Sequence, residues 1–147
     1  MSSITALSPL DGRYETKIEE LKEYFSEYAL IKYRVTVEIH WLKALCAESA
    51  IPECRSLSTE EEATLDAIIT DFTPAEAQKV KDIEKTTNHD VKAVEYYLKD
   101  QIAGTPMEAI SEFIHFACTS EDINNLSHGL MLKEGVAFIS GIQQQVI

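Results

Sequence analysis

Glycine and proline are scarce in this chain, five and four among 147 residues. So few turn-formers exclude a sandwich or barrel of many short strands, which needs a turn signal every ~10 residues. Basic side chains are few as well: 13 Lys and Arg stand against 25 Asp and Glu, a net charge of −12. A partner whose affinity rests on neutralising a run of phosphates is disfavoured, and no nucleic acid is expected. No apolar run approaches the ~18 residues of a membrane span, and residues 1–20 lack a basic stretch followed by an apolar one. The expectation is a cytoplasmic protein with no membrane partner. Cysteine is limited to Cys46, Cys54 and Cys118, an odd number without the paired spacings of zinc or redox motifs. These read as reduced, structural thiols. His115 and Cys118 are three apart and could share a helical face, but no third or fourth ligand presents itself, so neither metal nor cofactor is expected.

What the chain does have is 45% hydrophobic and 26% charged residues. That suits one globular domain burying about two-thirds of its unfolded surface. The periodicity is helical. The cluster Pro9-Leu10-Asp11-Gly12-Arg13-Tyr14 makes a turn before a short helix over about residues 15–24. Ser26 caps a longer helix, in which Tyr28, Ile31, Val35, Ile39, Leu42 and Leu45 recur every three or four residues. Val35 to Ile39 alone alternates like a strand, but the uninterrupted flanks decide for helix, and Ile51-Pro52 ends it. The acid-rich stretch between Ser56 and Gln78 contains two helix starts, Thr59 with Glu62 and Thr73-Pro74 with Glu76. Each fits the capping box. The second of these helices runs to about Lys85, residues 86–90 interrupt it, and another spans about 91–103 before Gly104 and Pro106.

A short helix follows between Glu108 and Cys118. Thr119-Ser120-Glu121-Asp122 then opens the last helix, with a hydroxyl at the cap and acids in the first turn. Its stripe of Ile123, Leu126, Leu130, Leu132, Val136, Ile139, Ile142 and Val146 is not closed by a Gly, Pro or basic turn, so it reads as a helix cut short. Gly129, Gly135 and Gly141 each lower helix propensity by about 1 kcal/mol against Ala, so packing must help hold it. The fold class expected is all-α, one mostly helical domain over residues 1–118 followed over 119–147 by the start of a longer helix.

Three polar clusters lie where helices break and backbone N–H groups are free. Arg13-Tyr14 offers a planar cation and a phenol, suited to phosphate or carboxylate, or else to pairing with a nearby acid. Asn88-His89-Asp90 sets an amide, an imidazole and a carboxylate at a helix start, where Asn and Asp also serve as ordinary caps. Thr119-Ser120 can cap a helix and still donate a hydroxyl proton to an anion, although Glu121 and Asp122 put negative charge beside it. His40 and His128 read as helix surface. His115 precedes Thr119 by about one turn.

Together Ser8 to Tyr14, Thr86 to Tyr96 and Glu112 to Asn125 resemble the bacterial-type adenylosuccinate lyases of the fumarase/aspartase superfamily. Three motifs in the family's order span nearly the whole chain. The resemblance implies the N-terminal portion of a cofactor-free and metal-free β-eliminating enzyme, and it makes residues 1–118 an N-terminal helical domain and 119–147 the first helix of a central bundle. Its nucleotide substrates would be adenylosuccinate, cleaved to AMP and fumarate, and SAICAR, cleaved to AICAR. It implies that Arg13 and Tyr14 hold the phosphate region, that Asn88, His89 and Asp90 meet the nucleotide and succinyl moiety, and that Thr119 and Ser120 bind a succinyl carboxylate. His115 and Asn124 would stand behind them. The family's general-acid His, in a Thr-His-Gly-Gln-like segment, and its general-base Ser, in a loop like Ser-Ser-X-Met-Pro-X-Lys-X-Asn-Pro, have no counterpart here. No catalytic residue is therefore expected in these 147 residues, and the chain alone is expected to be inactive. The family's homotetramer, whose active sites draw on three chains, would let basic residues elsewhere offset the acidic balance. A small acidic module that grips a partner helix stays open as the alternative.

Overall fold

The computed structural model describes residues 3–145, and among these every regular element is helical. Six α-helices are present: α1 Lys22–Phe25, α2 Glu27–Ala47, α3 Thr59–Thr70, α4 Pro74–Thr87, α5 Asp90–Ile102 and α6 Ser120–Gln144. The expected helix over 15–24 is instead two 3-10 turns, Glu15–Lys17 and Glu19–Leu21, leading into the four-residue α1. The segment expected as a helix between Glu108 and Cys118 is a 3-10 helix, Pro106–Phe113, started by Thr105 as its cap. Val146, the last member of the expected stripe, lies outside the described residues.

Helix α2 is the axis of the fold. Ser26 starts it, its hydroxyl oxygen accepting from Ala29 N–H at 3.1 Å. Eleven of its residues are buried, on every face, because α1, α3, α4, α5 and α6 all pack around it. A helix surrounded in this way needs no clean apolar stripe, which is why Val35 to Ile39 imitates a strand. The helix ends at Ala47, four residues before Ile51, with Glu48 turned into extended backbone; the expected stop at Ile51-Pro52 comes after the chain has already left the helix.

The main core joins Ile39, Leu42 and Leu45 of α2 to Leu65 of α3, Val80 of α4, Val94 and Leu98 of α5, and Met107 and Ile110 beyond. Each fully buried aliphatic side chain there contributes about 1.5–3 kcal/mol relative to an exposed one. A reciprocal capping box starts α3, but one residue earlier than expected: Ser58 accepts from Glu61 N–H and Glu61 reaches back to Ser58 N–H. Arg55 explains the shift, because it forks onto the same Glu61 carboxylate and orients it toward Ser58. Thr73 caps α4 as expected, accepting from Glu76 N–H, yet Glu76 does not reach back. Its carboxylate is taken by Lys79 and by the Tyr97 hydroxyl instead.

Helices α4 and α5 fold back on each other across Asn88 and His89. Asn88 adopts the left-handed conformation, φ 50°, that ends α4, a geometry Asn tolerates better than most residues. Helix α6 packs on α1, α2 and α5 through Ile123, Ser127, Met131 and Gly135. Leu126, Leu132, Val136, Ile139 and Ile142 of the expected stripe are exposed. At ~100° per residue, Leu132, Val136 and Ile139 lie roughly opposite Ile123, so α6 carries apolar residues on two faces.

Candidate functional site

Two of the three polar clusters meet. His89 is the cap of α5: its Nδ1 accepts from Lys92 N–H at 3.1 Å. Since Nδ1 accepts, the neutral ring carries its proton on Nε2. That nitrogen faces Ser120 Oγ, 3.4 Å away at the first turn of α6. A hydroxyl that accepts from the imidazole keeps its own proton free to donate. His89 and Ser120, 31 residues apart, thus form one partly exposed pair.

The other members of these clusters are committed to structure in ways the sequence left open. Asp90 is held from both sides: Oδ1 accepts from Val91 N–H at 2.9 Å and Oδ2 from Arg34 at 2.6 Å. Burial works to raise its carboxyl, but the Arg34 guanidinium and the Val91 N–H outweigh it and hold the group below the ordinary carboxylate range. Thr119 donates both its N–H and its hydroxyl to Asp122, at 2.7 and 2.9 Å. The Thr119 hydroxyl proton is therefore occupied, and the negative charge of Asp122 is absorbed by the cap. Asn88 is exposed at its left-handed turn. Arg13 is exposed, its guanidinium 5.5 Å from the centre of the Tyr14 ring. Among the described residues no hydrogen bond or ion pair joins Arg13 or Tyr14 to the His89–Ser120 pair, and no carboxylate pairs with Arg13.

Helix α2 supplies what sequence reasoning missed. Arg34 is buried, and besides Asp90 it donates from Nε to Asn124 Oδ1 at 2.9 Å, tying the start of α5 to α6. One turn later, Glu38 is fully buried and its Oε1 lies 2.6 Å from His115 Nδ1. Glu38 Oε2 has no hydrogen-bond partner among the described residues. Burial raises the Glu38 carboxyl, and the His115 contact pulls it back only in part. His115 and Ala117 both take left-handed backbone, φ 62° and 60°, an uncommon state for residues with a Cβ. Two anchors from α2 hold that loop: the Glu38 contact to His115 and the Trp41 indole N–H, which donates to Phe116 O at 2.8 Å. The available signal was a pair of opposite charges, Arg34 and Glu38, at i and i+4 among the apolar positions Val35, Val37 and Ile39.

On the other side of this loop, a groove of about 540 Å³ is lined mainly by Val37, Trp41, Ala44, Ile123, Leu126 and Leu130. None of the expected ligand-binding residues lines it.

A family profile described as "Lyase" matches residues 12–147. The chain belongs to this lyase family. It is 57% identical over 134 residues to the adenylosuccinate lyase of Escherichia coli strain K12, covering 90% of this chain and 29% of that protein. It is 56% identical over 135 residues to the adenylosuccinate lyase of Vibrio cholerae, covering 91% and 30%, and 49% identical over 138 residues to that of Legionella pneumophila strain Corby, covering 93% and 30%. The chain spans about 30% of the length of these curated relatives. In this lyase-family chain, α2 buries Arg34 and Glu38 beneath the loops that carry His89, His115 and Ser120, so one helix sets the spacing between segments far apart in sequence. Among the described residues no helix is long and apolar enough to cross a membrane.

Proposed function

We propose that the complete gene product carrying this chain is an adenylosuccinate lyase, eliminating fumarate from adenylosuccinate to give AMP and from SAICAR to give AICAR. The observation that carries this reading is the His89–Ser120 pair. It offers an imidazole N–H and a hydroxyl side by side at the mouth of a helix, from two motifs the resemblance assigns to substrate. The names of the relatives support it. In such an elimination a proton leaves the carbon beside a carboxylate, so donors that tighten on the developing dianion lower the barrier. Ser120 and the α6 N-terminus suit that role, with Thr119 beside them; Asn88, His89 and Asp90 would meet the nucleotide and succinyl moiety, and Arg13 and Tyr14 the phosphate. The 147 residues hold no counterpart of the family's general acid or base and would turn over nothing alone.

We assign the whole protein to the cytoplasm as a homotetramer, with the exposed face of α6 against neighbouring helices. Its Leu132, Val136 and Ile139 form an apolar face of the kind that a soluble protein covers.

The test is an elimination assay on the complete gene product, following fumarate release. Arg13→Ala, His89→Ala and Ser120→Ala should each lower kcat/KM at least tenfold, roughly 1.4 kcal/mol, while the protein stays folded. Wild-type rates in all three variants would overturn the reading.

A further inference from the structure

Arg34 determines which way Asn124 points. A guanidinium has only donors, so the Asn124 atom 2.9 Å from Arg34 Nε is the amide oxygen. The amide NH2 is therefore turned away from Arg34, and it makes no hydrogen bond among the described residues. Asn124 lies one turn after Ser120, about 40° away around α6 at ~100° per residue, so the two side chains share a face. Asp90, which shares Arg34 with it, is already matched by Arg34 and Val91 N–H, while Glu121, three residues before it on α6, is exposed to solvent. A half-buried amide with two free donors, held by its oxygen and placed beside a hydroxyl with a free proton, suits a carboxylate.

We propose that Asn124 is a ligand-binding residue whose NH2 donates to the same substrate carboxylate as Ser120, and that buried Arg34 is the positioning residue that presents it. This rests on the lyase reading above and adds a specificity determinant for the dicarboxylate part of the substrate. A lysine at 34 would keep the charge but lose the planar fork that reaches Asp90 and Asn124 together.

Asn124→Asp separates the two roles, because it keeps an oxygen for Arg34 and removes the NH2. In the complete gene product the KM for adenylosuccinate and the inhibition constant for fumarate should rise at least tenfold, the inhibition constant for AMP should change less than twofold, and the thermal midpoint should not fall. Arg34→Lys should show the same pattern at about fourfold. Unchanged fumarate affinity in Asn124→Asp overturns the donor role, and so does an equal loss for fumarate and AMP. An unaffected Arg34→Lys overturns the positioning role. Should the wild-type protein bind adenylosuccinate in calorimetry without turning it over, the lyase reading fails; the proposal then stands if the Kd of Asn124→Asp rises tenfold and falls if it does not. Absence of binding by the wild-type protein overturns both.

Discussion

The three glycines of α6 lie in different surroundings, and an alanine at each should report them separately. A Cβ at Gly129 or Gly141 would meet nothing within 4 Å. Replacement there should stabilise by up to about 1 kcal/mol through backbone entropy, less at Gly141 near the helix end. A Cβ at Gly135 would overlap Cζ of Phe25 and lie 2.6 Å from Cε2 and 3.3 Å from Cε1. Phe25 must then swing away, losing its tilted contact with Tyr24, whose ring centre is 6.5 Å off. Overpacking of this kind costs about 1–3 kcal/mol, so the helix gain is outweighed and Gly135→Ala should lose about 1 kcal/mol net. The gap between Gly129→Ala and Gly135→Ala is then about 2 kcal/mol, or ~6 °C in thermal midpoint for a chain of this size. Urea unfolding followed by circular dichroism measures it. In a Phe25→Ala background the obstacle is gone, and Gly135→Ala should stabilise like Gly129→Ala. Equal effects of the two glycine substitutions in the native background, or a coupling energy to Phe25 below ~0.5 kcal/mol, would refute the argument.

The capping register of α3 can be read the same way: Ser58→Ala should cost about 1 kcal/mol in urea unfolding, whereas Thr59→Ala should cost a few tenths at most. Glu61 has its pKa lowered to about 2, first by the Arg55 hydrogen bond and then by Ser58 N–H. A depressed carboxylate stabilises the fold above its unfolded value and loses that contribution as pH falls toward 2, so Glu61→Gln should flatten the acid side of the stability profile between about pH 4.5 and 2; an unchanged slope would contradict this. Burial, followed by the neighbouring Cys54, pushes the Cys46 thiol up to about 12. Half-buried Cys118 should therefore be alkylated first at pH 8, with Cys46 and Cys54 labelled only on unfolding; peptide mass spectrometry gives the order.

The helical class and most element positions were legible because they rest on local signals. Ser26 and Thr73 are caps in sequence and in structure, and Gly104-Thr105-Pro106 stops α5 as punctuation should. The misreadings share a cause. Thr59-Glu62 and Ser58-Glu61 fit the same four-residue pattern, and only Arg55, outside that pattern, selects the second. The region after Tyr14 has helix-forming residues, but a chain that must turn into Ser26 within a few residues makes tight 3-10 turns instead.

The site was half legible for a related reason. His89 and Ser120 stand out because polar residues at a helix break are conspicuous, whereas Arg34 and Glu38 were hidden in a helix judged by its apolar positions. Their roles depend on contacts 90 and 77 residues away, which no window of sequence contains.

The same contacts remove a difficulty raised by the net charge of −12. What an anion meets is local, because fields between exposed charges fade over ~8 Å at physiological salt. At the meeting of α5 and α6, Asp90 is matched by Arg34, and the Asp122 carboxylate is turned back onto the Thr119 cap. Each of these acids is held below the ordinary carboxylate range by donors of this chain. The Ser120 hydroxyl proton and the Asn124 NH2 are left over as donors, the His89 Nε2–H being directed at Ser120 Oγ, while the exposed Glu121 beside them has no partner among the described residues. An acidic chain can therefore offer donors to an anion where carboxylates such as Asp90 and Asp122 are already engaged in folding. Removing Arg34 would release the Asp90 charge beside those donors, which is why the loss should fall on the anionic end of a ligand before it falls on the fold.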